Sequence, residues 1–192
     1  MRRWLHHIPN VVSSIRILLV VPIALAIARH DFVSTLWLFG IAAVSDAADG
    51  ALARGFGWQS KLGGILDPIG DKLMLATVFV MLAVVGYIPI WLALCVIARD
   101  CMIVLGAVCY RLLLGPVEAR PSIISKLNTA LQMAFVLAVI CTKEFSWPPA
   151  WMIVGLGALV FVTVAVSGID YVLVYGRQAI EHTRNPARVR AV

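Results

Sequence analysis

Apolar stretches of membrane-crossing length follow one another along this chain, each cut off by a short cluster of glycine, proline or charged residues. The stretches cover about residues 11–29, 33–54, 68–86, 89–113, 122–142 and 149–174. Each lies near the ~20 residues that a helix needs to cross the hydrocarbon core of a bilayer. The interruptions carry the turn chemistry expected between helices: Arg29-His30-Asp31, Gly55-Phe56-Gly57, Gly86-Tyr87-Ile88-Pro89, Gly115-Pro116, Ser146-Trp147-Pro148-Pro149 and Gly176. The pattern therefore predicts an all-α, polytopic membrane protein with six transmembrane helices, forming a single domain over residues 1–192.

Composition agrees with the pattern. Of the 192 residues, 61% are hydrophobic, and the mean hydropathy is +0.94. A soluble domain of this size could not cover so much apolar surface. Near the N-terminus, Pro9-Asn10, Ser13, Ser14 and Arg16 break the apolar run that a cleavable leader would need. Residues 1–8 are instead expected to lie at the interface, with Trp4 at headgroup level. The positive residues are unevenly placed. Arg2, Arg3, Arg54, Lys61, Arg111, Arg120, Lys126, Arg177, Arg184, Arg188 and Arg190 fall at one side of the predicted bundle, and only Arg29 and Lys143 in the turns of the other. This bias predicts that both termini are cytoplasmic. The net charge of +6 reads as topology and attraction to anionic lipid, with no nucleic-acid module behind it. Residues 178–192 are expected to form a frayed basic tail against lipid headgroups.

One segment departs from the apolar background. Asp46-x2-Asp49-Gly50-x2-Ala53-Arg54 is followed by Gly63-x3-Asp67-x3-Asp71. A charge near the bilayer centre costs on the order of 3 kcal/mol or more, so intramembrane acids normally mark an ion or substrate site. On a helix, Asp46, Asp49, Gly50 and Ala53 fall at i, i+3, i+4 and i+7 on one face, and Asp67 and Asp71 share a face of the next helix. Two acidic faces can then oppose each other. Four carboxylates in one pocket require cations, and hard oxygen donors suit Mg2+ or Mn2+ better than zinc. Gly50 and Ala53 leave room for a flat nucleotide, and Arg54 can reach a phosphate.

This segment resembles the signature of the CDP-alcohol phosphotransferases, and the resemblance extends over nearly the whole chain. It implies that Asp46, Asp49, Asp67 and Asp71 hold a two-metal centre, with Asp71 as general base. It also implies that Asn10, Asp49, Gly50, Ala53, Arg54, Ser60 and Gly63 line the CDP part of the donor. Ile8-Pro9-Asn10 and Leu66-Asp67-Pro68 with Asp71-Lys72 are similar to the branch that makes cardiolipin or phosphatidylglycerophosphate, and Ala98-Arg99-Asp100 and the segment from Pro121 to Gln132 resemble its cardiolipin-forming members. The implied activity is transfer of the phosphatidyl group of CDP-diacylglycerol to phosphatidylglycerol, giving cardiolipin and CMP. Glycerol 3-phosphate is the alternative acceptor. Asn128 stands where enzymes using that phosphomonoester tend to carry a basic residue, which favours the lipid. Arg16, Arg99, Lys126 and Asn128 are candidates to contact the acceptor, although each also reads as a packing or membrane-edge residue. The resemblance further implies a homodimer in a bacterial inner membrane, with its active site on the cytoplasmic side.

A small cation channel or carrier would also place acids within a membrane. The acids here gather toward one side with no polar groups continuing across, which argues against a pathway. Cys95, Cys101, Cys109 and Cys141 form no Cys-x-x-Cys pair and read as small packing residues. His6, His7, His30 and His182 are too scattered for a metal site.

Overall fold

A computed structural model of the chain describes residues 8–56, 63–114 and 123–184, with side chains described for 17–45, 70–106, 108–109 and 123–173. Six helices and no strand occur among the described residues: α1 (Ile8–Ala28), α2 (Phe32–Phe56), α3 (Gly63–Val84), α4 (Ile90–Leu114), α5 (Ile123–Phe145) and α6 (Ala150–Arg184). Each expected helix is present, and two have different bounds. Helix α3 begins at Gly63 rather than 68, so Asp67 and Pro68 lie inside it. Helix α6 continues through Gly176 to Arg184, so residues 178–184 of the expected tail are helical. An interior glycine costs a helix about 1 kcal/mol, and the good helix formers that follow, Gln178, Ala179, Ile180 and Glu181, offset it.

The three described turns lie at one end of the bundle and close by recognisable caps. After α1, the His30 amide donates to the Ile27 carbonyl and the Asp31 amide to the Ala26 carbonyl, a Schellman pair with His30 at φ 59°. Asp31 then caps α2, its Oδ1 accepting from the Ser34 amide at 3.0 Å. The same pair closes α3 at Gly86, whose φ of 84° suits a residue without Cβ. Side chains join the turns: His30 Nδ1 lies 2.8 Å from the Tyr87 hydroxyl, and Lys143 Nζ lies 4.2 Å above the Tyr87 ring. Phe32 packs edge-on against that ring at 5.3 Å.

Neighbour contacts close the helices into a ring in the order α1, α2, α5, α6, α4, α3, with α3 and α5 also touching across it. Ile23, Ile27, Phe39, Val78, Phe79, Leu82, Phe135, Val136 and Ile140 fill the interior, with Phe79 stacked on Phe135 at 6.0 Å. The outside is equally apolar: Leu18, Trp37, Val84, Trp151 and Val154 are all more than two-thirds exposed. Helices α5 and α6 (Ala150–Leu173) are long and apolar enough to cross a membrane, and Ile17–Ala28 and Phe32–Ser45 are shorter apolar stretches. Helices in lipid associate through close packing rather than water exclusion, which favours small residues at contacts. Gly106 and Gly168 play that part between α4 and α6, against Tyr171 and Met102.

Candidate functional site

The end of the bundle opposite the described turns carries the acidic pattern. Asp46, Asp49, Gly50, Ala53 and Arg54 occupy the last turns of α2, and Gly63, Asp67 and Asp71 the first turns of α3. These turns approach one another along the chain because only residues 57–62 separate α2 from α3. Asn10 and Arg16 lie in the first half of α1, which packs against both α2 and α3. The side chains of these residues, apart from Asp71, and the whole of Ser60 lie outside the described residues. Asp71 itself is half-buried. Among the described side chains, no group of three or more His, Cys, Asp or Glu residues gathers as a metal site.

Starting at Lys72, next to Asp71, a polar network crosses the bundle. Lys72 Nζ donates to Asp100 Oδ1 at 3.2 Å, and Arg99 Nη1 donates to the same oxygen at 2.6 Å. Arg99 is 5% exposed, and its Nη2 donates to Ser125 Oγ on α5 at 2.8 Å and to Ser167 Oγ on α6. A guanidinium so placed needs this many partners, because an unpaired buried charge costs several kcal/mol. Its planar fork lets one residue join α4, α5 and α6. The buried Arg99 Nε–H has no partner among the described residues.

The polar line continues along α5. Asn128 and Gln132, one turn apart, are fully buried. Thr163 of α6 donates to Asn128 Oδ1 at 3.0 Å, while Asn128 Nδ2 and Gln132 Nε2 have no partner among the described residues. Orphaned buried polar atoms are uncommon and mark a place where water or a ligand belongs. Of the residues expected to meet an acceptor, Arg99 and Asn128 thus lie on one seam, Lys126 is exposed on α5, and Arg99 is inside the bundle rather than at its edge. Sequence reasoning gave no site role to Lys72, Asp100, Ser125, Thr163, Gln132 or Ser167. The visible signal was a polar residue every three or four positions, Ser125, Asn128 and Gln132 on α5 and Thr163 and Ser167 on α6, in otherwise apolar runs.

Beside Arg99, the outer faces of α4 and α6 leave an open groove of about 510 Å3. Cys95, Ala98, Met102, Phe161, Ala165 and Ile169 are among its walls, and Arg99 is the one charged residue among the described residues that line it.

The family model described as CDP-alcohol phosphatidyltransferase matches residues 6–169. The human protein named cardiolipin synthase (CMP-forming) is 32% identical over 190 residues, covering 91% of this chain and 63% of that protein. The rat protein of the same name is 31% identical with the same coverage. A Mycobacterium tuberculosis protein named probable phosphatidylglycerophosphate synthase is 27% identical over 180 residues, 89% of this chain and 82% of that protein. The chain thus spans about 63% of the length of the human and rat relatives. With the match covering most of its length and including every position of the aspartate pattern, the chain belongs to the CDP-alcohol phosphatidyltransferase family.

Proposed function

We propose that this protein is an integral membrane phosphatidyltransferase that transfers the phosphatidyl group of CDP-diacylglycerol to phosphatidylglycerol, releasing CMP and forming cardiolipin. The observation that carries the reading is the placement of Asp46 and Asp49 on α2 and of Asp67 and Asp71 on α3 at one end of the bundle. The apolar exterior and the basic bias of this end support six spanning helices, with the site on the cytoplasmic side of a bacterial inner membrane. A homodimer is part of the same reading.

The donor set fits hard divalent cations: four carboxylates on consecutive helices, with no sulfur or imidazole in the pattern. Asp46, Asp49, Asp67 and Asp71 would hold two Mg2+ or Mn2+ ions. When bound, such ions neutralise the charge of a pyrophosphate and of a departing nucleotide. Gly50 and Ala53 leave the α2 face open to the cytidine, and Asn10, Arg54, Ser60 and Gly63 complete the donor site. Asp71 accepts the proton of the primary hydroxyl of phosphatidylglycerol. That oxygen forms a bond to the lipid-side phosphorus, and the bond from this phosphorus to the bridging oxygen breaks, leaving CMP. The Lys72–Asp100–Arg99 chain fixes α3, which carries the base, relative to α4 and the acceptor side. Arg99 and the exposed Lys126 are the cations offered to the acceptor phosphate. Asn128 adds no charge, which suits a phosphodiester monoanion better than a phosphomonoester dianion.

The test is an acceptor panel with purified protein, CDP-diacylglycerol and Mg2+, in which lipid products are separated and CMP is quantified. Cardiolipin from phosphatidylglycerol, with little product from glycerol 3-phosphate, is the expected result. Abundant phosphatidylglycerophosphate without cardiolipin would replace the proposed acceptor by glycerol 3-phosphate. Absence of CMP release with either alcohol would refute the enzyme reading and favour a cation pathway.

A further inference from the structure

We infer that the groove between α4 and α6 holds one acyl chain of the acceptor lipid. The inference rests on the proposed phosphatidylglycerol reading and extends it, because a soluble acceptor has no use for such a groove. Three observations lead to it.

The groove opens to the outside of the bundle. Ala98 and Ala165 are exposed on its walls, as are Ile169, Val172 and Leu173, so a chain can enter sideways from lipid without crossing a packed interface. Its length also suits one leaflet. From Phe161 to Leu173, at 1.5 Å per residue, α6 rises about 18 Å, close to half of the ~30 Å hydrocarbon thickness. Finally, the groove is continuous with the polar seam. Arg99 is the one charged residue among the described residues that line it, and its buried Nε–H has no partner among the described residues. An anionic phosphodiester lipid complements an apolar trough with a cation at its inner wall, and a zwitterionic lipid does so less well. Helices α4 and α6 can stay this close beside the trough because Gly106 accommodates the Tyr171 ring and the Tyr171 hydroxyl donates to the Ile103 carbonyl at 2.8 Å.

Two experiments on the full chain test this. In phosphatidylcholine nanodiscs with Mg2+, phosphatidylglycerol carrying a photoactivatable diazirine on one acyl chain should crosslink to α4 and α6 peptides containing Met102 and Phe161. Excess unlabelled phosphatidylglycerol should suppress that crosslink. Equal suppression by added phosphatidylcholine would reduce the groove to ordinary lipid contact, and suppression by CDP-diacylglycerol would give it to the donor; either result overturns the inference. The second experiment narrows the groove with Ala165→Trp. The ratio of kcat/KM for phosphatidylglycerol to that for its deacylated headgroup, glycerophosphoglycerol, should fall about tenfold, as expected for the loss of a few apolar methylene contacts. Ala158→Trp, on the exposed surface of α6 outside the groove, should leave that ratio as in wild type. Cardiolipin synthesis with an unchanged ratio in Ala165→Trp would refute the groove assignment while the proposed activity stands. Phosphatidylglycerophosphate synthesis without cardiolipin would instead refute the acceptor reading itself.

Discussion

The two ends of this bundle are held together by different chemistry. At the end with the short turns, apolar side chains interlock and the backbone caps itself: Schellman closures at His30 and Gly86, an aspartate cap on α2, and Tyr87 tied to His30 and Lys143. From mid-bundle toward the other end, charged and polar groups stand where a stable bundle would put leucine. Arg99 is bonded to two serines and a carboxylate, the buried amide nitrogens of Asn128 and Gln132 have no partner among the described residues, and four aspartates fall in the last turns of α2 and the first turns of α3. Buried ion pairs stabilise little relative to well-packed apolar residues. Their gathering away from the short turns fits the proposed site, carried by a scaffold that the short-turn end stabilises.

The sharpest way to separate the two ends is to remove a function from one without disturbing the other. Asp71→Asn keeps the shape of the side chain and removes the proposed base. Transfer to phosphatidylglycerol should fall by about a hundred- to ten-thousand-fold, the usual contribution of general base catalysis. The thermal midpoint in detergent should stay close to that of wild type. Turnover equal to wild type would remove Asp71 from the mechanism.

The converse change falls in the apolar half. Phe79 is fully buried and stacked on Phe135, so Phe79→Ala leaves a cavity and should destabilise the fold by about 3–5 kcal/mol. Turnover per folded molecule, measured well below the midpoint, should remain within about twofold of wild type, since a distant cavity that leaves the site in place changes no transition-state contact. If turnover fell as steeply as stability, the two ends would be one cooperative unit, and the contrast drawn between them would fail.

How legible this division was in the sequence depends on the range of the interactions. Helix positions were legible because apolar runs end at local turn signals; α1, α2, α4 and α5 begin within a few residues of the sequence boundaries. Two boundaries differ: Gly176 is followed by helix formers that carry α6 on to Arg184, and α3 starts at Gly63, ahead of the apolar run that begins at residue 68. The aspartate pattern was legible because its spacing is local, at i, i+3 and i, i+4. The ring order of the helices was not, because lipid-facing and core-facing sides are both apolar and leave no contrast for periodicity to detect. The partners of Arg99 were hidden for another reason. Ser125 and Ser167 lie 26 and 68 residues away, and nothing in the neighbourhood of Arg99 specifies which distant hydroxyls the packing will bring to it.

The smallest effect tests whether charge contributes at the short-turn end at all. Hydrogen bonds from the Ser34 side chain and backbone hold the Asp31 carboxyl below its usual pKa, against a weaker opposing effect of desolvation. A carboxylate whose pKa is lower in the folded state contributes stability above its unfolded pKa of about 3.9, and that contribution is lost as pH falls through the folded value. Asp31→Asn keeps a residue that caps helices as well as aspartate does and removes the titration. At neutral pH the variant should melt slightly below wild type, since the charge also favours the positive end of the α2 dipole. As pH is lowered from 6 to 3, the difference should shrink toward zero, because only the wild type loses a contribution there. A constant gap in melting midpoint across that range would mean that the cap acts at this end through geometry alone, leaving electrostatics to the opposite end of the bundle.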